Sequence, residues 1–295
     1  MATQQNNQST PNACAGCDPR TRALCKAVSA ASVGRAGIRL RKLPAGWVLQ
    51  DEGEAPKLTG ILRRGYLRTE RILEDGRRSI VGLALPSDPV GAWLEQDGSC
   101  SISAATDVEI CSFDPQVLRR LFEKEPALRM EILRAAAEQY ARQLELLWRR
   151  GALNSRERII AFLVMATEIM PCAPLPGGGL VVSVPISRRD WADMTNTTVE
   201  TICRTLGQLA EQGLIESRAQ GRYLIKDVSA LADMAGIDPE TDVMAVCRTE
   251  GLARALGGAR PIHLRLDTDG MPHLPADRAT QHMALPSTRP RQLPI

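Results

Sequence analysis

SRRDWADMTNTTVETICRTLGQLAEQG, residues 187–213, is the stretch on which the reading of this chain turns. A first helix is expected from about Ser187 to Met194, with the Ser187 hydroxyl accepting from the free amides of its first turn. Trp191 and Met194 are three apart and share an inward face. Thr195, Asn196 and Thr197 interrupt the pattern and suit a tight turn. Thr197 or Thr198 then caps a second helix, whose buried stripe is Ile202, Leu206 and Leu209. Gly213 stands where a left-handed residue must end it. Two short helices joined by so tight a turn make a helix-turn-helix, whose second helix enters the DNA major groove. Val199, Glu200, Cys203 and Arg204 are left facing outward near the start of that helix. Glu200 can accept from a cytosine amino group and Arg204 can donate two bonds to guanine. Arg188 and Arg189, at the start of the first helix, join the set expected to meet DNA.

An ordinary helical hairpin with solvated charges would give much of the same pattern. The residues that follow argue against it. Leu214-Ile215 and Tyr223-Leu224-Ile225 are short apolar runs around a Gly221-Arg222 turn, which makes a β-wing beside the helices. A winged helix that binds double-stranded DNA is the better reading.

The motifs ISRRDWAD (186–193), TVETICRTL (198–206) and QGLI (212–215) resemble the DNA-binding domain of the cyclic-AMP receptor and fumarate–nitrate reduction regulator superfamily. The recognition helix of that family carries a Glu and, after three intervening residues, an Arg. Glu200 and Arg204 match that pair. Val199 resembles the fumarate–nitrate branch, whereas Cys203 departs from the Ser usual there and bears on the outer base of the half-site.

Length and composition bound the rest. A chain of 295 residues is long enough for two domains with cores of their own. Its formal net charge of +3 is too small to identify a nucleic-acid binder, and residues 183–228 hold six basic and six acidic side chains. The positive excess sits in residues 1–42, with seven Lys/Arg and a single acid. No run of about 18 apolar residues suggests a membrane span. The start, MATQQNNQST, lacks an apolar signal core, so a cytoplasmic location is expected. Eight cysteines in such a chain point to metal or redox chemistry before disulfides. The three histidines, His263, His273 and His282, all lie near the end, which argues against histidine-based catalysis or haem ligation in the folded body. No enzyme activity is expected.

Cys14, Cys17 and Cys25 are spaced x2 and x7. Three thiolates this close repel one another unless a metal or cluster neutralises them. Zinc and iron–sulfur sites both use such spacings, and a group of reactive thiols is the remaining reading. From Arg39 to about Phe122 short apolar runs alternate with glycines. Residues 58–62, 66–72 and 79–84 read as strands, with Asp75-Gly76 as a hairpin turn. Such spacing implies a small antiparallel barrel or double roll. The sensory β-roll of the superfamily resembles this stretch. In cyclic-nucleotide binders of that family a Gly-Glu pair and a later Arg hold ribose and phosphate. Here Ala92 follows Gly91 and no Arg stands in the following stretch, so no cyclic nucleotide is expected.

In DVEICSF, residues 107–113, alternation puts Val108 and Ile110 on one face and Cys111 on the other. If the first face is the core, the sulfur of Cys111 faces outward, toward the arm; a cysteine used as a small core residue is the plainer alternative. The resemblance implies more. Fumarate–nitrate regulators draw three cluster cysteines from the arm and a fourth from this strand, and Cys14, Cys17, Cys25 and Cys111 match those positions. Cys100 is the rival fourth ligand.

A long helix is expected from about Pro126 to Arg150. Met130, Leu133, Ala137, Tyr140, Leu144 and Leu147 recur at steps of three and four, a narrow seam that suits a homodimer better than packing within one domain. Asn154 caps the next helix, and PCAPLPGGG, residues 171–179, reads as a flexible loop. The resemblance ends near Gly236.

The expected fold is therefore α+β, with an N-terminal antiparallel β-roll of the cupin-like double-roll kind, a long dimerisation helix and a C-terminal winged helix-turn-helix. The expected divisions are a cysteine-rich arm (1–30), a sensory roll (31–125), a dimer helix (126–152), a DNA-binding domain (153–236) and a partly disordered extension (237–295). The resemblance implies an oxygen-responsive regulator in which a 4Fe-4S cluster favours a homodimer on a TTGAT-like inverted repeat, with RNA polymerase as a further partner. Two alternatives stand beside it: a thiol- or nitric-oxide-responsive regulator without such a cluster, supported by Cys203, and a non-regulatory iron–sulfur redox protein.

Overall fold

The computed structural model describes residues 38–237, apart from residues 92, 94–97 and 99. Cys14, Cys17, Cys25, Cys247 and the extension beyond Ile237 lie outside the described residues.

Eight strands build the first layer: β1 (Ile38–Leu43), β2 (Val48–Gln50), β3 (Thr59–Arg64), β4 (Leu67–Ile72), β5 (Arg78–Ala84), β6 (Pro89–Val90), β7 (Ser101–Ala104) and β8 (Val108–Phe113). They form two antiparallel sheets, ordered β1-β8-β3-β6 and β2-β7-β4-β5. This is the expected roll. Leu43, Leu49, Leu62, Leu67, Val90, Ala104, Val108 and Ile110 fill it. Gly60 is required where β3 meets β8, because a Cβ there would lie 2.5 Å from the Cys111 carbonyl oxygen.

The opposite face of β8 is not an open surface. Leu40, Cys111 and Ile61 lie opposite one another across β1, β8 and β3. Ile61 and Phe113 on that face join Trp93 and the inward residues of two helices, α1 (Pro115–Lys124) and α2 (Pro126–Ala152), in a second apolar cluster. Cys111 therefore alternates away from Val108 and Ile110 as the pattern requires, but it is buried, at 9% exposure. Period-two alternation distinguishes the faces of a strand and cannot say what covers each of them.

Helix α2 presents Leu128, Ile132, Leu146 and Arg149 inward. Two part-buried bonds fasten its middle to the roll: Arg142 donates to Asp88, and Gln139 Nε2 donates to the Pro89 carbonyl at 3.1 Å. After α2 come α3 (Ser155–Ile169), α4 (Arg188–Thr195), α5 (Val199–Glu211) and α6 (Val228–Met234). Asn154 and Glu157 form a reciprocal capping box at the start of α3. Residues 171–179 are more ordered than their composition suggests. Within them β9 (Cys172–Pro174) pairs with β10 (Leu180–Ser183), in a sheet completed by β11 (Ile215–Ala219) and β12 (Arg222–Ile225) and ordered β11-β12-β10-β9. None of the helices among the described residues is long and apolar enough to cross a membrane.

Candidate nucleic-acid interface

The local chemistry of residues 187–213 gives the geometry that their pattern predicts. The Ser187 hydroxyl accepts from the Asp190 amide at 3.0 Å and starts α4. Trp191 anchors the helix. It is buried, with its ring 4.6 Å from that of Phe162 and edge-on to Tyr223 at 6.4 Å. Asn196 closes α4 in the left-handed region, at φ 49° and ψ 54°. Asparagine is one of the few side chains that tolerate this conformation. Thr198 caps α5, its hydroxyl accepting from the Thr201 amide at 3.2 Å. Ile202, Leu206 and Leu209 bury the inner face of α5, and Gly213 turns the chain away at φ +71°. The wing follows as the antiparallel pair β11 (Ile215–Ala219) and β12 (Arg222–Ile225).

Glu200, Cys203 and Arg204 are exposed on α5, side by side near its start. The Glu200 carboxyl is held below the ordinary carboxylate range, first by its own backbone amide and then by the Thr198 hydroxyl. It is therefore an ionised acceptor at neutral pH, as a cytosine contact needs. Val199 is only half-exposed and packs on the domain core, so its side chain belongs mostly to the helix pair.

The two arginines of α4 part company. Arg189 is exposed. Arg188 turns inward: its guanidinium lies 5.2 Å from the Trp191 ring centroid and 5.4 Å from that of Tyr223, and it donates to the Tyr223 hydroxyl. Burial pushes the Tyr223 phenol up from its ordinary pKa, so the hydroxyl stays protonated. Arg188 thus joins α4 to the wing. Arg218 and Arg222, exposed on the wing, extend the basic surface that the sequence reading confined to α4 and α5. Their signal was a basic pair flanking the Gly221 turn. A helix with an ionised acceptor and a bidentate donor, beside a basic wing, can read base edges and hold phosphates.

The described cysteines, Cys100, Cys111, Cys172 and Cys203, are thiols. Cys172 donates to the Thr167 carbonyl at 3.3 Å, which fits a structural role. Met130, Leu133, Ala137, Tyr140, Leu144 and Leu147 all lie on the exposed side of α2. Met130 and Leu147 are each 64% exposed and Tyr140 is 61% exposed.

Residues 157–241 match the family model described as the Crp-like helix-turn-helix domain, and residues 40–125 match that of the cyclic nucleotide-binding domain. The nitrogen fixation regulation protein FixK of Bradyrhizobium diazoefficiens is 31% identical over 68% of this chain and 85% of its own length. The transcriptional activator protein FnrL of Cereibacter sphaeroides is 26% identical over 77% of this chain and 93% of its own. Among solved structures, FixK2 from Bradyrhizobium japonicum superposes with a TM-score of 0.59 at 21% identity, covering 66% of this chain and 96% of that one, a likeness of fold. These relatives are regulators rather than enzymes. With both family domains in order and a helix-turn-helix open for DNA, the chain belongs to the cyclic-AMP receptor and fumarate–nitrate reduction regulator superfamily of DNA-binding transcription regulators.

Proposed function

We propose that this regulator is an oxygen-responsive homodimer of the fumarate–nitrate branch, with Cys14, Cys17, Cys25 and Cys111 holding one 4Fe-4S cluster per subunit. The carrying observation is the pairing of β1. It is the first described element after the arm and pairs with β8 in a register that sets Leu40 opposite Cys111. The twelve residues between Cys25 and Ile38 can span up to about 40 Å, so reach does not limit a shared site. Cys111 lies between Leu40 and Ile61, and charged groups gather at Glu109, two residues away on the same face. Glu109 meets Lys42 at 3.6 Å, Arg63 at 3.5 Å and Arg64 at 4.0 Å, so three cations face one acid there. Positive charge on that face would attract a cluster of net negative charge. The cluster would supply an oxygen-labile tie between arm and roll.

The seam on α2 supports the dimer. Burying a large aliphatic side chain contributes about 1.5–3 kcal/mol, and α2 leaves several exposed in one line. Two subunits joined there would present two α5 helices to an inverted repeat of the TTGAT…ATCAA kind, with RNA polymerase as a further partner. The reading assigns no cyclic nucleotide to the roll. Its interior is filled by aliphatic side chains, Ala92 follows Gly91, and Gln143 of α2 packs against Gly82.

The test is the visible absorbance of anaerobically purified protein, with iron and sulfide assays on single Cys→Ser variants. A charge-transfer band lost in the Cys14, Cys17, Cys25 and Cys111 variants and kept in the other four is expected. Zinc in place of iron would sink the oxygen-sensing reading. Full iron content in Cys111→Ser with loss in Cys100→Ser would move the fourth ligand. A second reading, regulation by thiol oxidation, is favoured by the exposed Cys203 on α5. It predicts a colourless protein whose DNA binding falls on mild oxidation and survives it in Cys203→Ser.

A further inference from the structure

The β4–β5 hairpin of the roll grips the first helix of the DNA reader through a buried set of charges. Asp190 and Asp193 are three apart on α4 and face the hairpin. Arg78 of β5 bridges both: its Nη2 donates to Asp190 Oδ1 at 2.7 Å and its Nε donates to Asp193 Oδ2 at 2.7 Å. Arg68 of β4 donates to the other oxygen of Asp190 at 3.3 Å. Glu70 lies beneath, accepting from Arg68 Nε and Arg78 Nη1 at 3.1 Å each, and from the Ser103 hydroxyl. Asp190 and Glu70 are 3% and 5% exposed.

Arg150, near the end of α2, completes the grip. It donates to the Met194 carbonyl at 2.8 Å and the Asp193 carbonyl at 2.9 Å, both in the last turn of α4. On its other side it holds Ser79 Oγ at 3.0 Å and the Ile80 carbonyl of β5. Two arginines, Arg68 and Arg78, thus hold three carboxylates, while Arg150 caps the last turn of α4 from outside its own domain. Ion pairs this deep contribute little net stability but are intolerant of losing one partner. They fix a relative position more strictly than apolar contact, which tolerates sliding.

The grip leaves the reading surface open. Glu200, Cys203 and Arg204 are all exposed while Arg78 holds both aspartates. The gripped pose is therefore one that can meet DNA, and the grip supports it.

We infer that Arg78, with Asp190 and Asp193, positions the DNA reader on the sensor roll and so sets the spacing at which two subunits can read the two halves of an operator. These are positioning residues, remote from the bases. The inference rests on the dimeric reading given above, and sedimentation of the wild-type protein checks that reading separately.

The experiment measures binding to three DNA duplexes: the preferred palindrome, the same palindrome with its half-sites moved apart by one base pair, and a single half-site. Arg78→Gln is expected to lose about tenfold on the preferred palindrome, to discriminate less against the shifted one, and to bind the half-site like wild type. Arg78→Lys should fall between, since an ammonium is a point charge and cannot bridge two carboxylates with a planar fork. Asp193 is the least buried of the three acids, so Asp193→Asn serves should Arg78→Gln fail to fold. The double variant should lose no more than the stronger single. Unchanged spacing preference in Arg78→Gln and Asp193→Asn would overturn the inference. So would a half-site loss equal to the palindrome loss, which would mean that the reader itself is damaged. A wild-type protein that sediments as a monomer on DNA would remove the dimeric reading, and the inference with it.

Discussion

Glu200 and Arg204 are the residues proposed to read base edges, and the exposure that such a role needs was legible in the sequence. Each is exposed on the first turns of a helix whose other face is buried. Arg204→Ala should weaken binding to the cognate half-site far more than to random DNA, because a bidentate guanine contact carries about 1–3 kcal/mol of discrimination. Competition binding against unrelated DNA measures it, and an equal loss on both duplexes would reduce Arg204 to a phosphate contact. Arg188 could not be read the same way. Next to Arg189 in sequence, it looks like a second DNA-facing cation. Its partner Tyr223 is a residue of the wing, and no local pattern announces a pairing across 35 positions. Cys111 was half legible for a related reason. Its face of β8 follows from alternation, whereas the cluster over that face is made by helices later in the chain.

The elements of the reader were legible because their ends are written in capping chemistry. Ser187, Thr198 and Asn154 cap α4, α5 and α3, and Gly213 carries the positive φ after α5. Asn196 is the sharpest case, because the tight turn between α4 and α5 depends on one left-handed residue. Asn196→Ala should destabilise the protein by about 1 kcal/mol, the order of the cost of that conformation for a residue with a plain Cβ. Asn196→Gly should fall within about 0.5 kcal/mol of wild type, since glycine adopts the conformation freely but widens the unfolded ensemble. Denaturant melts of the two variants decide this, and equal losses would mean that the Asn side chain rather than its backbone matters. Residues 171–179 show the opposite situation. Their prolines and glycines read as a loop, yet β9 forms because β10 offers it an edge. Strand formation there is set by a neighbour, so composition misleads.

In the whole molecule, sequence periodicity gave the layers but not what joins them. The charged grip between β4–β5 and α4 links residues more than a hundred positions apart, and each of its members reads alone as a solvated surface charge. The helix α2 is the other long-range device, and its inner and outer faces have different jobs. Leu128, Ile132 and Leu146 hold it to its own chain, while Arg142 and Gln139 tie it to the loop carrying Asp88. Its outer face leaves Met130, Leu133, Tyr140, Leu144 and Leu147 exposed.

Leu144 lies toward the C-terminal end of that outer face, 46% exposed. It follows that Leu144→Glu should leave the folding of the subunit nearly unchanged, since the added carboxylate points into water when the chain is alone. In the proposed dimer the same carboxylate would be buried opposite its symmetry mate. Two unpaired like charges in an apolar seam cost several kcal/mol, enough to dissociate a moderately stable dimer. Operator binding should then fall to the level of a single half-site, because one reader alone must supply all the contacts. Sedimentation velocity and a thermal melt, taken on the same preparation, separate the two effects. A monomer with a wild-type melting temperature is the expected result. An unchanged dimer would place the interface elsewhere, and a large fall in melting temperature would mean that the outer face of α2 packs within the subunit after all.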